Sequence, residues 1–424
     1  MQARKSLLAL AVLASVSGAA FAGNGTTTTY QNGSDNGIVA EQSGAINSNL
    51  NVTQNGSNNN AGTPATSGGW FGWGSQPAKP IYQGSSNSNL TVLQTNSYNT
   101  AAARQTGGEQ NQGTINQTGA AGNSSANQQS ATLNQAGSYN NGTITQNANK
   151  GRDTAATLKQ DGTGNSAWVT QENNTKSTAT VSQFNNNNQA WVTQKNNDQA
   201  TASLTQRGNN NEGTINQNDS YKVTATVTQD GGYNKAWATQ QSNTRDSSAT
   251  ISQNGQGNIG SVTQTWAWNS NAELTQKGGN NNTGTINQND ADYSRAYLTQ
   301  TGSNNVGTLN QDQADHSTIT ATQSGNYNSI VANQNGPHGG NPGDSNLKAT
   351  IIQDGTSNKV TSNQSGKDND AYLTQNSGGY NVIDLNQTTT AYNSKATVAQ
   401  SGSYLTANVT QTGGSNNTVS ITQH

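Results

Sequence analysis

Over residues 225–240 the chain reads ATVTQDGGYNKAWATQ, with small apolar and amide residues on alternate positions. Alternation with period two predicts strands in which one set of side chains faces inward. The inward set is Ala225, Val227, Gln229, Asn234, Ala236, Ala238 and Gln240; the outward set is Thr226, Thr228, Lys235, Trp237 and Thr239. Between the two runs, Asp230-Gly231-Gly232-Tyr233 predicts a tight arc, because glycine reaches backbone dihedrals that other residues avoid. An inward face of small groups and amides is too thin and too polar for an ordinary core. It becomes stable only with an identical face directly above it.

The rest of the chain supplies that neighbour. From Gln31 onward, pairs of glutamines eleven steps apart return about every 23 residues. The pairs include Gln117/Gln128, Gln135/Gln146, Gln160/Gln171, Gln183/Gln194, Gln206/Gln217, Gln229/Gln240 and Gln253/Gln264. Thirteen of sixteen pairs keep the eleven-step spacing, thirteen have Gly two places after the first Gln, and thirteen have Asn five places after it. A disordered Gln/Asn tract would not hold three marks in register over so long a chain. Asn165, Asn188, Asn211, Asn234 and Asn258 are the arc asparagines of five of these units.

The expected fold is therefore all-β: a solenoid of stacked strand–arc–strand repeats, with two facing parallel sheets in cross-β arrangement. Gln423 opens one further unit, which makes about 16.5 repeats. At ~4.8 Å per turn, Gln lies over Gln and Asn over Asn. A primary amide both donates and accepts, so each can bond its equivalents above and below. A buried amide without such partners would cost on the order of 1–3 kcal/mol. The ladder also pins a register that Ala and Val alone would leave loose.

The ends and irregularities divide the chain further. Residues 1–22 read as a secretion signal peptide: Arg4 and Lys5, a short apolar run over 7–16, then Ala20-Phe21-Ala22 as a cleavage site. Residues 23–30 form a short N-terminal segment and 31–424 the solenoid. All five prolines fall in two insertions, near 55–82 and near 335–347. Proline interrupts strand ladders, so both insertions are expected to loop out, the first from an arc.

Composition narrows the function. Hydrophobic residues are 28% of the chain and charged residues only 9%, with Asn, Gln, Gly, Thr and Ser dominant. Absence of cysteine excludes disulfides, thiolate metal sites and a cysteine nucleophile. A net charge of −2 gives no electrostatic reason to expect nucleic acid, and the apolar run over 7–16 is too short for membrane insertion.

With the repeats laid out, the unit resembles the curlin repeat, Ser-x5-Gln-x4-Asn-x5-Gln. Ser177…Gln183…Asn188…Gln194 and Ser247…Gln253…Asn258…Gln264 fit it in full. The resemblance covers nearly the whole expected mature chain, with an unusually large number of repeats. It implies a secreted bacterial subunit that polymerises outside the cell into curli, amyloid fibres of the biofilm matrix. It further implies a dedicated outer-membrane secretion channel with accessory factors, and a related nucleator subunit that templates assembly.

No catalytic, cofactor-binding or metal site is expected. His316, His338 and His424 are far apart with no second ligand at a metal spacing. Asp161, Asp230 and Asp354 share one arc position and read as solvating turn residues that could stack. Trp168, Trp191 and Trp237 share one outward position and form an aromatic face. Three functions compete: a self-assembling fibre subunit, a monomeric ice-binding or polysaccharide-binding solenoid, and a β-helical polysaccharide enzyme. Thr143/Thr145 and Thr226/Thr228 suit ice, but Lys159, Trp168, Tyr297 and Tyr372 break the array. The enzyme lacks clustered acids. The fibre subunit remains, with Val419, Ile421 and Gln423 as its polymerisation edge, repeating the inward pattern of Ala225, Val227 and Gln229.

Overall fold

Strand after strand alternates one buried and one exposed position, and each lies parallel on the equivalent strand of the next repeat. The structure is a computed structural model that describes residues 24–62, 80–119, 128–147, 154–336 and 345–424. The secretion signal expected at 1–22 lies outside the described residues. The chain winds as a β-solenoid of two facing parallel sheets and sixteen turns, with no helix among the described residues. The first sheet runs from Thr26–Asn32 through Ser166–Glu172 and Gln189–Lys195 to Thr406–Gln411. The second starts with Gly37–Ile38 and Ala40–Gln42 and ends with Thr418–Gln423.

Inward positions of both sheets meet in one narrow core. Val169, Val181, Val192, Leu204, Ile215 and Val227 are fully buried within it. Each such side chain contributes roughly 1.5–3 kcal/mol relative to exposure. Volumes compensate across the core. A Cβ added to Gly307 of the first sheet would meet Leu298 Cδ2 of the second at 2.7 Å. One turn later Ile330 takes the Gly307 column while Ala321 takes the Leu298 column. At these two turns a large residue on one sheet faces a small one on the other, as close packing requires.

Two boundaries differ from the sequence expectation. Residues 26–30 are already in the first strand, so they are not a separate segment. The first insertion interrupts a strand, not an arc: Asn60–Ala61 and Ile81–Ser86 both pair with Asn99–Glu109. Ala102, opposite the break, points outward and is exposed, so the chain leaves the sheet there without opening the core. The arc before it is kept, with Asn59 N–H bonded to Asn36 Oδ1 and Asn99 N–H to Asn59 Oδ1. The second insertion does leave from an arc, between Ser329–Asn335 and Lys348–Gln353.

The phase of the repeat differs as well. Early in the chain the arc from first to second sheet carries the asparagines Asn36, Asn59 and Asn99. The opposite arc carries Ser48 and Ser88, and that column continues into Asn111, Asn140 and Asn165. The repeat thus shifts by half a turn. Gln105 bonds Gln135 and Gln117 bonds Gln146, while Gln128 is exposed and belongs to neither ladder. The solenoid therefore has sixteen turns rather than 16.5, and Gln423 completes the last. Asn99 Oδ1, at this boundary, is buried without a hydrogen-bond partner among the described residues.

Candidate functional site

The most regular feature of the molecule is its pair of glutamine ladders. In the second sheet, Nε2 of Gln160 donates to Oε1 of Gln183 at 2.9 Å, Gln183 to Gln206 at 2.9 Å, Gln206 to Gln229 at 2.8 Å and Gln229 to Gln253 at 2.9 Å. In the first, Gln171, Gln194, Gln217 and Gln240 each donate to the next, ending here on Gln264, at 2.8–2.9 Å. The remaining amide hydrogen reaches a backbone carbonyl, as from Gln183 to Ser166 and from Gln206 to Gln189. Every step from Gln31 to Gln411 and from Gln42 to Gln423 points the same way, with the donor in the earlier turn.

The arc asparagines bond one another, as from Asn188 Nδ2 to Asn165 Oδ1 and from Asn211 Nδ2 to Asn188 Oδ1 at 3.2 Å, and they also hold backbone. Asn165 Oδ1 accepts the backbone N–H of Asn188, and Asn188, Asn211 and Asn234 repeat this toward Asn211, Asn234 and Asn258. Their Nδ2 groups reach carbonyls of the next arc, such as Asn188 to Gly208 at 2.8 Å. A short side chain at an arc satisfies backbone that cannot pair as strand. Two further columns escaped sequence reasoning. In the other arc Ser247, Ser270, Ser294 and Ser317 each accept the backbone N–H of the next turn. Their signal was present as the Ser that opens the repeat. On the outer surface Asn287, Asn310, Asn333 and Asn363 form an exterior amide ladder at 2.7–2.8 Å.

The outward tryptophans sit in one column of the first sheet. Trp168 and Trp191 stack with ring centroids 5.4 Å apart and planes 9° apart; Thr214 separates them from Trp237. Charges pair between successive turns at 3.3–3.4 Å: Glu172 with Lys195, Arg207 with Asp230 and Glu212 with Lys235. Asp161 and Asp230 do not stack on like charge, because Phe184 follows the first and Arg207 precedes the second. Lys159, Glu273 and Asp384 are exposed. Among the described residues no three His, Asp or Glu side chains are placed to hold a metal ion; His338 lies outside them.

One carboxylate is perturbed. Asp292 Oδ1 accepts the Trp268 backbone N–H at 2.8 Å, and Asp292 N–H donates to Asp315 Oδ1 at 2.9 Å. Burial pushes the Asp292 carboxyl above its ordinary value, the Trp268 bond opposes this, and Asp315 and Asp290 add to it. The folded state thus favours the protonated acid. Its stabilising contribution is fully present below the unfolded pKa of about 3.9 and is lost as pH rises through the higher folded value. Asp292→Asn keeps the acceptor, so its urea midpoint should equal or exceed the parent's at pH 7, with the difference vanishing near pH 4.

At the solenoid's ends, inward residues are only half covered. Thr418–Gln423 pairs on one side only among the described residues, and Val419, Ile421 and Gln423 are half-buried where Val398, one turn below, is fully buried. Lys395 N–H bonds Asn417 O, so outward residues of this sheet aim their N–H groups at the following turn. In the last strand, then, Thr418, Ser420 and Thr422 carry the outward-aimed backbone donors, whereas Ile421 bonds back into the chain. The edge side chains and the edge donors are different residues. At the opposite end, Gln31 is exposed and Gln42 Oε1 accepts from Thr27 Oγ1 at 2.8 Å.

Residues 343–376 match the family model described as the curlin associated repeat. Their described part carries Lys348–Gln353, Lys359–Ser365 and Asp370–Asn376, with Gln353, Asn358 and Gln364 in the three repeat columns. No curated protein matches the chain. With a matched curlin repeat lying in register between the turns below and above it, the chain is a β-solenoid that resembles the curlin-repeat family.

Proposed function

We propose that the chain is a secreted structural subunit that adds head to tail to copies of itself, forming extracellular curli-like amyloid fibres. Adhesion and cell aggregation in a biofilm matrix follow as their use. A curlin-repeat solenoid supports a structural rather than an enzymatic role. The observation that carries the reading is the uniform direction of both ladders. One face of the stack presents amide donors at Gln411 and Gln423, the other amide acceptors at Gln31 and Gln42. Like faces would set donor against donor or acceptor against acceptor. Only unlike faces match, and a heterologous contact of that kind propagates instead of closing. Whole turns let Gln31 fall over Gln411 and Gln42 over Gln423. A related nucleator subunit and a dedicated outer-membrane channel with accessory factors are the further partners under this reading.

The test is seeded elongation of Ser420→Pro. That change removes an outward-aimed donor while sparing the bonds Ile421 makes within the chain. Loss of one backbone bond with a ring clash at the joint should slow elongation roughly tenfold or more. The circular dichroism of the unassembled variant should match the parent. Elongation at the parental rate would remove the C-terminal strand from the joint.

A further inference from the structure

The two edges of the solenoid differ in chemistry. Arc tips leading from first to second sheet carry charge, among them Lys176, Asp198, Lys222, Arg245 and Asp292. The opposite arcs, from Ser138-Tyr139 to Ser403-Tyr404, have only Gly, Ser, Thr, Asn, Gln and Tyr at the two tip positions before the ladder column.

Five of those uncharged tips are exposed tyrosines: Tyr139, Tyr233, Tyr327, Tyr380 and Tyr404 are 49%, 65%, 62%, 58% and 77% exposed; Tyr380 stacks on Tyr404, and Tyr139 O–H donates to Glu109 Oε1. All five have left-handed backbone, with φ between 58° and 61°. Asn187, Asn210, Asn281 and Asn304 adopt the same conformation in the same column. Asparagine does so readily; a bulky aromatic does so against its preference, and Tyr233 and Tyr327, 65% and 62% exposed, recover little by burial. The first three tyrosines stand four turns apart, or ~19 Å at ~4.8 Å per turn.

Tyr139 and Tyr233 each border a shallow depression. Asn87, Gln110 and Asn140 line the first; Asn209, Asn210 and Gln256 line the second. Side-chain oxygens of Asn209, Asn280 and Asn326 are held by backbone N–H groups of Asn186, Gln256 and Ser303. The amides are thereby oriented, and their Nδ2 groups have no partner among the described residues. A rigid aromatic beside oriented amides and small hydroxyls is a recognition surface for an uncharged, hydroxyl-rich ligand.

We propose that the edge carrying Tyr139, Tyr233 and Tyr327 binds an uncharged polysaccharide lying along the solenoid axis. Sugar C–H faces stack on the tyrosine rings, and sugar hydroxyls bond the oriented amides. A polyanion finds no cation at these tips, and a folded protein finds no continuous apolar patch. Three weak sites on one polymer reinforce each other. The binding does not depend on end-to-end growth.

Affinity electrophoresis of the full-length, unassembled protein tests this, with hydroxyethylcellulose as the neutral polymer and alginate as the polyanion. Hydroxyethylcellulose should retard the parent, and alginate should not. Tyr139→Asn with Tyr233→Asn and Tyr327→Asn places in each arc a residue its neighbours already use. That triple variant should bind roughly tenfold more weakly, with unchanged circular dichroism and seeded elongation. The three Tyr→Phe changes should keep affinity within roughly threefold, because the ring remains. Tyr293→Asn with Tyr392→Asn, on the charged edge, should change nothing. An unretarded parent, preference for alginate, or equal loss from the charged-edge pair would overturn the proposal. Failure of elongation alone would count against the fibre reading and leave this one standing.

Discussion

Gln206→Leu is expected to lower stability by roughly 2–6 kcal/mol, at about 1–3 kcal/mol for each of two buried amides that lose a partner. Gln183 Nε2 loses its acceptor, Gln229 Oε1 loses its donor, and the Gln189 carbonyl loses the second hydrogen of the same amide. All three glutamines of the ladder are fully buried, so water cannot replace what is removed. Leucine is close to glutamine in size, which makes the loss polar rather than steric. Thr228→Ser alters only a half-exposed outward position and should stay within about 0.5 kcal/mol. Urea midpoints compare the two. In a stack where each turn touches only its neighbours, damage is local. Hydrogen exchange should therefore quicken in Thr178–Asn186, Thr201–Asn209 and Thr224–Gly232 and leave Asn89–Thr95 unchanged. Equal effects of the two substitutions would show that the ladder does not stabilise the fold.

Gly231→Ala is expected to cost on the order of 3–5 kcal/mol although it adds one methyl group. Gly231 has φ 103°, outside what an L side chain adopts without strain, and an added Cβ would lie 2.1 Å from the Gly255 carbonyl oxygen of the next turn. That oxygen belongs to backbone fixed by the Asn234 Nδ2 bond at 3.0 Å, so it cannot yield cheaply. Gly278→Ala separates the two causes. Its φ is 68°, within reach of other residues, and nothing lies within 4 Å of the added atom. That change should cost only about 1 kcal/mol, the left-handed penalty alone. Similar urea midpoints for the two variants would mean that the approach of successive arcs does not limit the glycine column.

Much of this architecture is written in the local sequence, because a parallel stack repeats one short pattern. The alternation Ala225-x-Val227-x-Gln229 sets which face is buried, and the recurrence of Gln sets the register. Charge at Lys159, Glu273 and Asp384 falls outward for the same reason. The half-turn phase shift was not legible, since Gln128 carries the same local marks as a ladder residue. Only the pairing of Gln117 with Gln146 excludes it. Nor could a one-dimensional pattern place the first insertion within a strand, because its flanks alternate on both sides.

Within the site, the Gln-to-Gln direction follows from where the second amide hydrogen finds a carbonyl, as at Ser166, and that is a three-dimensional fact. The same holds for asparagines whose Oδ1 takes the backbone N–H of the next arc as well as its side-chain amide, and for Ser420 rather than Ile421 as the bearer of an edge donor. By itself the sequence determined the solenoid, its inward face and its register, because those depend on spacing along one chain. Tertiary structure decided the phase, the exchange of bulk between Leu298 and Ile330, and the unlike edges. Those depend on which side of a stacked turn each arc closes, and spacing alone cannot carry that.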